Sequence, residues 1–269
     1  MRDADDVARR GIDRGVAVMT ILRKMKDAAI GAGLEPWLRP VSDLLVGRKL
    51  DRDDLAAFKL IEGLAKDAIC VDVGCHKGKF LDAMRRAAPS GRFFAFEPVP
   101  YLHNLLKSKY RADARVQVFN YALSSSDGEA TFYVNERDMG LSGLSERRER
   151  LGEDPLTKVS AVLRPLDSVL GDQRVDFIKI DVEGAEFDVL QGARGILGRF
   201  RPRILFEFGL GGAEYFGVGA DTMFQFFDCA GYDLFTMDNL IRDSALTVEG
   251  FRTCFERNTN YNFLAAPRR

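Results

Sequence analysis

The chain has 269 residues, an apolar fraction of 46% and a formal net charge of −1. That length supports one large domain, or a domain with an appendage, and the composition is that of an ordinary globular core. The near-neutral balance gives no reason to expect a nucleic-acid partner, and no run reaches the roughly 20 apolar residues needed to cross a bilayer.

The N-terminus, Met1-Arg2-Asp3-Ala4-Asp5-Asp6, has no apolar run followed by a small-residue cleavage site, so no secretory leader is expected. Cys70, Cys75, Cys229 and Cys254 are scattered without a C-x-x-C pair, which suits reduced thiols in a cytoplasmic protein. From about Asp3 to Ala65 the pattern is helical. Val7, Gly11, Val18, Ile21, Leu22, Met25 and Ala29 recur at three- and four-residue steps, Pro36 and Pro40 interrupt them, and a second stretch carries Leu55, Phe58, Ile61 and Leu64 behind Asp51 as N-cap. Residues 1–65 therefore read as a helical extension and residues 66–269 as the main domain. The extension's basic face, with Arg9, Arg10, Arg14, Arg23, Lys24 and Lys26, offers peripheral contact with an anionic membrane. Asp3, Asp5, Asp6 and Asp13 accompany it, which favours a solvated face instead. The apolar stripe could pack within the chain or across a homodimer.

After Ala65, strands and helices alternate. Ala68–Val73, Arg92–Glu97, Arg115–Phe119, Val175–Asp181, Arg203–Phe208, Tyr232–Met237 and Tyr261–Ala265 read as short apolar strands with helical stretches between most of them. This predicts an α/β fold with a mostly parallel seven-stranded sheet covered on both faces. Ala130–Val134 adds a strand after the Asp127-Gly128 turn. Asn135 to Lys158 is charged, glycine-containing and aperiodic, the pattern of a lid or binding loop. Ser142 within it could touch cofactor or acceptor, although a solvated loop serine is the favoured reading.

The first strand ends in Val71-Asp72-Val73-Gly74-Cys75-His76-Lys77-Gly78-Lys79-Phe80, an apolar segment closed by a carboxylate that turns through two glycines into a helix. A dinucleotide turn needs glycines where His76 and Lys79 stand. A phosphate loop needs four residues between its glycines and a Ser or Thr after the lysine, whereas three intervene here and Phe80 follows. A ligand with a ribose and an amino-acid tail but no phosphate fits better, which points to S-adenosylmethionine. In Phe94-Ala95-Phe96-Glu97-Pro98 a lone carboxylate closes the next strand, at the distance where such folds place the acceptor for ribose hydroxyls. Val116 to Leu123 ends the third strand beside the expected adenine, where Asn120 or nearby backbone would read its edge and Tyr121 or Leu123 would pack on the ring. Phe177-Ile178-Lys179-Ile180-Asp181-Val182-Glu183-Gly184-Ala185-Glu186 delivers Asp181 and Glu183 to the same sheet edge, Glu186 opens the next helix, and Glu207 closes the following strand. Neighbouring carboxylates at strand ends are costly unless used, paired or metal-bound.

Five ordered blocks, VDVGCHKGKF, AFEP, NYALSSSDGEATFYV, FIKIDVEGAEFDVLQGA and RILFEF, together resemble the FkbM-type methyltransferases over roughly Ala68 to Ala265. The resemblance implies a class I methyltransferase (Rossmann-like) fold that uses S-adenosylmethionine to methylate a hydroxyl of a sugar, glycolipid or polyketide-like small molecule. Asp72, Gly74, Gly78 and Glu97 would hold the cofactor, Asn120 and Ala122 would flank adenine, and Asp181 would lie at the methyl-transfer site. Relatives often carry Asn at the position of His76, so this loop departs from the pattern there. With the neighbours of these positions, the cofactor set is Asp72, Gly74, His76, Gly78, Phe80, Glu97, Pro98, Asn120, Tyr121, Ala122 and Asp181.

Methyl transfer to an alcohol needs in-line alignment and a base within hydrogen-bond reach. The two histidines, His76 and His103, lie in the cofactor loop and on a helix surface, so Glu183 or Asp181, with Glu207, takes the catalytic role. No dedicated metal is expected, although Asp181, Glu183 and Glu207 are the set that could ligate Mg²⁺. A nicotinamide-dependent oxidoreductase and a non-catalytic cofactor-binding scaffold are the alternatives; the imperfect glycine loop weighs against the first and the intact acidic strand ends against the second.

Overall fold

The structure, a computed structural model, describes residues 52–135, 142–146, 155–237 and 244–268. The expected helix behind Asp51 is α1 (Arg52–Glu62); its N-cap, the preceding helical stretch, the basic face and any membrane or dimer contact through it lie outside the described residues. The elements that follow are β1 (Ile69–Val73), α2 (Lys79–Ala87), β2 (Arg92–Phe96), α3 (Pro100–Lys109) and β3 (Val116–Phe119). Next come β4 (Ala122–Leu123), β5 (Gly128–Asn135), β6 (Leu156–Arg164), α4 (Leu166–Leu170), β7 (Phe177–Ile180), α5 (Glu186–Gln191) and α6 (Arg194–Phe200). The last are β8 (Arg203–Glu207), a 3₁₀ turn (Ala213–Phe216), α7 (Ala220–Cys229), β9 (Tyr232–Thr236), α8 (Val248–Glu256) and β10 (Asn262–Pro267).

All seven strands expected for the main sheet are present, in the order β3-β2-β1-β7-β8-β10-β9. Every pairing is parallel except those of β10, which runs antiparallel to β8 and β9. This is the α/β class I methyltransferase sheet that the sequence led us to expect. Its strands are apolar on both sides because helices cover both. Val71, Val73, Phe94, Phe96, Ile178 and Ile180 point into one core with α5, α6, α7 and α8. Their alternates Cys70, Phe93, Ala95 and Phe177 point into the other, with α1, α2 and α3. Ala57, Leu60 and Ile61 of α1 are buried in this second core. Among the described residues no helix is long and apolar enough to cross a membrane.

A second sheet, β4-β6-β5, is an insertion after β3. Here the structure corrects the sequence reading: part of the expected loop is strand, because β6 begins at Leu156 and pairs antiparallel with the whole of β5. Gly143 bridges Tyr133 as well, so the 142–146 segment folds back on the hairpin. Phe132, Val134 and Ala161 of this sheet pack with Val99 and Leu102 at the start of α3, forming a third cluster above the carboxyl ends of β2 and β3.

Candidate active site

β1 continues to β2 on one side of the sheet and neighbours β7 on the other, so the order reverses between β1 and β7. A crevice outside the carboxyl ends is expected at such a switch point. There the chain opens a cleft lined by Gly74 and His76 from the glycine loop, Glu97, Pro98 and Val99 after β2, Leu102 of α3, Tyr121 and Ala122 at β4, and Asp181, Val182 and Glu183 after β7. Phe132, Ser142 and Leu144 of the insertion close its roof. One end is therefore apolar and the other is acidic, with exposed backbone.

The glycine loop is held tightly. The amides of Gly74 and Cys75 both donate to the Phe96 carbonyl at 3.1 Å. Gly74 has φ 73°, and a Cβ there would stand 1.8 Å from the Asp181 carbonyl oxygen, so only glycine lets β1 and β7 meet here. Beyond it, Glu97 is buried at the end of β2. Its Oε2 accepts from the His76 amide at 2.8 Å and its Oε1 from the Val99 amide at 3.0 Å. Burial pushes its pKa up to about 7, against these two amides, which pull it down. Each oxygen keeps acceptor capacity beyond its one amide.

Several predicted residues are engaged elsewhere. Asn120 spends its amide on the carbonyls of Glu97 and Pro98, both at 2.9 Å, and so ties β3 to the end of β2 instead of facing the cleft. Phe80 stacks on Phe58 at 5.2 Å, on the α1 side of the sheet. Gly78 opens α2 at φ 79° and lies under Tyr110, whose hydroxyl donates to its carbonyl at 3.2 Å. Asp72 is buried behind the cleft wall; neither oxygen completes a hydrogen bond of ordinary geometry, although the Cys75 thiol and Leu81 amide lie close. Burial raises its pKa, against the opposing charge of Lys179. His76, Glu97, Pro98, Tyr121, Ala122, Asp181 and Glu183 do meet at the cleft, with Gly74.

The turn after β7 is built around Glu186, which is buried and whose Oε1 accepts from the amides of Val182 at 3.2 Å and Gly184 at 3.1 Å. These bonds hold Glu183 at φ 59° and Gly184 at φ 111°, conformations that cost energy for a residue such as Glu. Burial raises the Glu186 pKa to about 7 despite the amides. A smaller pocket adjoins, lined by Glu183, Glu186, Glu207, Phe208, Leu210, Gly212 and Tyr261, and Glu183 belongs to both walls. Glu207 faces this pocket and not the main cleft. Burial, then the charges of Asp181, Glu183 and Glu186, push its pKa up to about 9. Among the described residues no group of three or more His, Cys, Asp or Glu side chains is arranged to hold a metal ion, Asp181, Glu183 and Glu207 included.

Three features depart from the sequence reading or escaped it, and for Ser142 the structure corrects the favoured solvated reading. Ser142 is buried, and its hydroxyl accepts from the Asn135 amide at 3.0 Å while lining the roof. The apolar wall is the second: Val99, Leu102 and Leu144 come from segments with no motif, and Phe132, although inside the NYALSSSDGEATFYV block, was not assigned to the site. Lys179, the one buried cation among the described residues, stands in β7 with its Nζ 3.1 Å from Asp181 and 3.8 Å from Asp72. A lone lysine in an apolar strand was the available signal, since a buried charge requires partners.

The sequence profile described as the methyltransferase FkbM domain matches residues 72–234. The chain is 28% identical over 240 residues to the AMB antimetabolite synthetase AmbE of Pseudomonas aeruginosa, an alignment covering 71% of this chain and 11% of that protein. It is 27% identical over 176 residues to the 2-O-methyltransferase NoeI of Sinorhizobium fredii, covering 61% of this chain and 69% of NoeI. Among solved structures, a methyltransferase FkbM from Methylobacillus flagellatus is similar at 15% identity and TM-score 0.48, over 75% of this chain and 44% of that one. The profile spans more than half of the chain, from Asp72 through β7 and β8 to β9, and on that match the chain belongs to the FkbM methyltransferase family.

Proposed function

We propose that this protein is an S-adenosylmethionine-dependent O-methyltransferase acting on a hydroxyl of a small-molecule or glycan acceptor. The observation that carries the cofactor reading is Glu97: a buried carboxylate at the end of β2, pinned by the amides of His76 and Val99, at the point where the apolar and acidic ends of the cleft meet. It fits a ribose diol. The apolar wall of Val99, Leu102, Phe132 and Tyr121 fits an adenine ring, and Gly74 and Asp181 fit an amino-acid tail bearing an ammonium group. The glycine loop carries His76 and Lys79 where a dinucleotide turn needs glycines, which favours this ligand over a dinucleotide.

When bound, S-adenosylmethionine supplies an electrophilic methyl group on its sulfonium. The protein must then orient the acceptor hydroxyl, exclude water and take up one proton. Glu207, held protonated near neutrality by burial and its acidic neighbours, is the wrong form for the base. Glu183 lines both the cleft and the adjoining pocket, so in this reading it accepts the hydroxyl proton, while Asp181 is engaged by Lys179. The similarity to NoeI, a 2-O-methyltransferase, supports an oxygen acceptor. The test is a screen of sugar and small-molecule alcohols with labelled cofactor. Glu183→Gln should lose at least a hundredfold in turnover while still binding S-adenosylhomocysteine, a drop within the usual range for a general base. Near-normal turnover in that variant would refute the assignment.

A further inference from the structure

Lys179 lies where strand alternation calls for an apolar side chain. Its neighbour two residues back, Phe177, enters the core beneath α2, and the register sets Lys179 directly beside Asp72. Its ammonium is not idle there. It donates to Asp181 Oδ2 at 3.1 Å and to the Gly74 carbonyl at 3.3 Å, stands 3.8 Å from Asp72 Oδ1, and lies 5.1 Å from the centre of the Phe80 ring. Neutralising Asp72 would require only the last-named carboxylate contact. The two shorter bonds go instead to the groups that form the acidic end of the cleft.

We infer that Lys179 is a positioning residue for the amino-acid end of the cofactor: it cross-ties the Gly74 carbonyl and the Asp181 carboxylate so that both meet the ligand in one arrangement. The inference rests on the cofactor reading above. Lys179 is not among the residues lining the cleft, so it acts through these two groups and leaves the adenosine end untouched. Burial alone would lower the pKa of this lysine; Asp181 and Asp72 overcome that and raise it, so the ammonium stays charged across the working range.

The test separates this role from charge balance. In an Asp72→Asn background the buried carboxylate is gone, so Lys179→Met leaves no orphaned partner behind β1. The double variant and the Asp72→Asn single variant are titrated with S-adenosylhomocysteine and with 5′-methylthioadenosine, which has no amino-acid tail. The expected result is a loss of tenfold or more in S-adenosylhomocysteine affinity on removing Lys179, with methylthioadenosine changed by less than twofold. Equal losses for both ligands, or no loss for either, would overturn the inference. Asp72→Asn/Lys179→Gln keeps a shorter donor, and if the methionine variant does not fold it carries the same comparison; a smaller loss confined to S-adenosylhomocysteine is expected, and equal changes for both ligands would again overturn it. Failure of the wild-type protein to bind either ligand would instead remove the cofactor reading itself.

Discussion

Glu97 links the electrostatics of the cleft to ligand binding most directly. Its pKa is raised to about 7 by burial. If ribose hydroxyls donate to this carboxylate, the ionised form is the competent one, and the apparent dissociation constant is the intrinsic constant divided by the ionised fraction. That fraction is about 1% at pH 5 and about 90% at pH 8, so S-adenosylhomocysteine affinity should rise about 90-fold over the range and level off above pH 7. Glu97→Gln removes the titrating group, flattens the profile, and forfeits a charge-assisted hydrogen bond of about 1.5–3 kcal/mol, roughly ten- to a hundredfold in affinity at pH 8. Calorimetric titration of both proteins at pH 5, 6, 7 and 8 measures this. A wild-type affinity independent of pH would refute the reasoning, as would a slope that survives unchanged in Glu97→Gln.

Three other outcomes follow from the same geometry. Gly74→Ala should abolish detectable S-adenosylhomocysteine binding, because its Cβ would fall 1.8 Å from the Asp181 carbonyl oxygen and β1 and β7 would have to part; micromolar binding in that variant would contradict the close approach. Glu186→Ala strands the buried Gly184 amide and the partly buried Val182 amide and should cost about 2–3 kcal/mol in denaturant unfolding, whereas Glu186→Gln, whose carbonyl can accept both bonds, should cost under about 1 kcal/mol. Equal losses would show that the carboxylate, not the acceptor geometry, holds the turn. Glu207 has a folded pKa of about 9 against an ordinary 4.5, so between those values the folded form binds more protons than the unfolded one and its contribution to stability falls as pH rises. The ligand-free melting temperature should therefore decline from pH 6 to 9, and Glu207→Gln should flatten the decline; identical slopes would count against the raised pKa.

The sheet was legible because each buried strand is a short apolar run ending at a turn signal. Boundaries came out one or two residues long, as at Val175–Asp181 against the observed Phe177–Ile180. β6 was not legible at all: no strand is read over Leu156–Arg164, where Thr157 and Lys158 are exposed and the alternation is weak until the segment pairs with β5. Its partner strand, with Phe132 and Val134 alternating inward, was readable.

The cleft's polar end was visible as carboxylates at strand ends, since a charged group closing an apolar strand has few structural reasons to be there. What the chain could not reveal was how each polar group is spent. Asn120 looks free to meet a ligand until its two backbone acceptors are seen, and Glu186 looks like an ordinary helix-opening acid until it is found holding the turn beneath Glu183. Likewise Ser142 is unremarkable in a charged segment, and only the fold-back onto Tyr133 brings it under the roof. Such assignments depend on distant segments, which local pattern does not encode.

The central claim is that the cleft between Gly74, Glu97 and Asp181 takes S-adenosylmethionine. Calorimetric titration of the purified protein with S-adenosylhomocysteine, with NADH in parallel, tests it without knowledge of the acceptor. Micromolar binding of S-adenosylhomocysteine and none of NADH is the predicted result; NADH binding, or no binding of S-adenosylhomocysteine to folded protein, would contradict it.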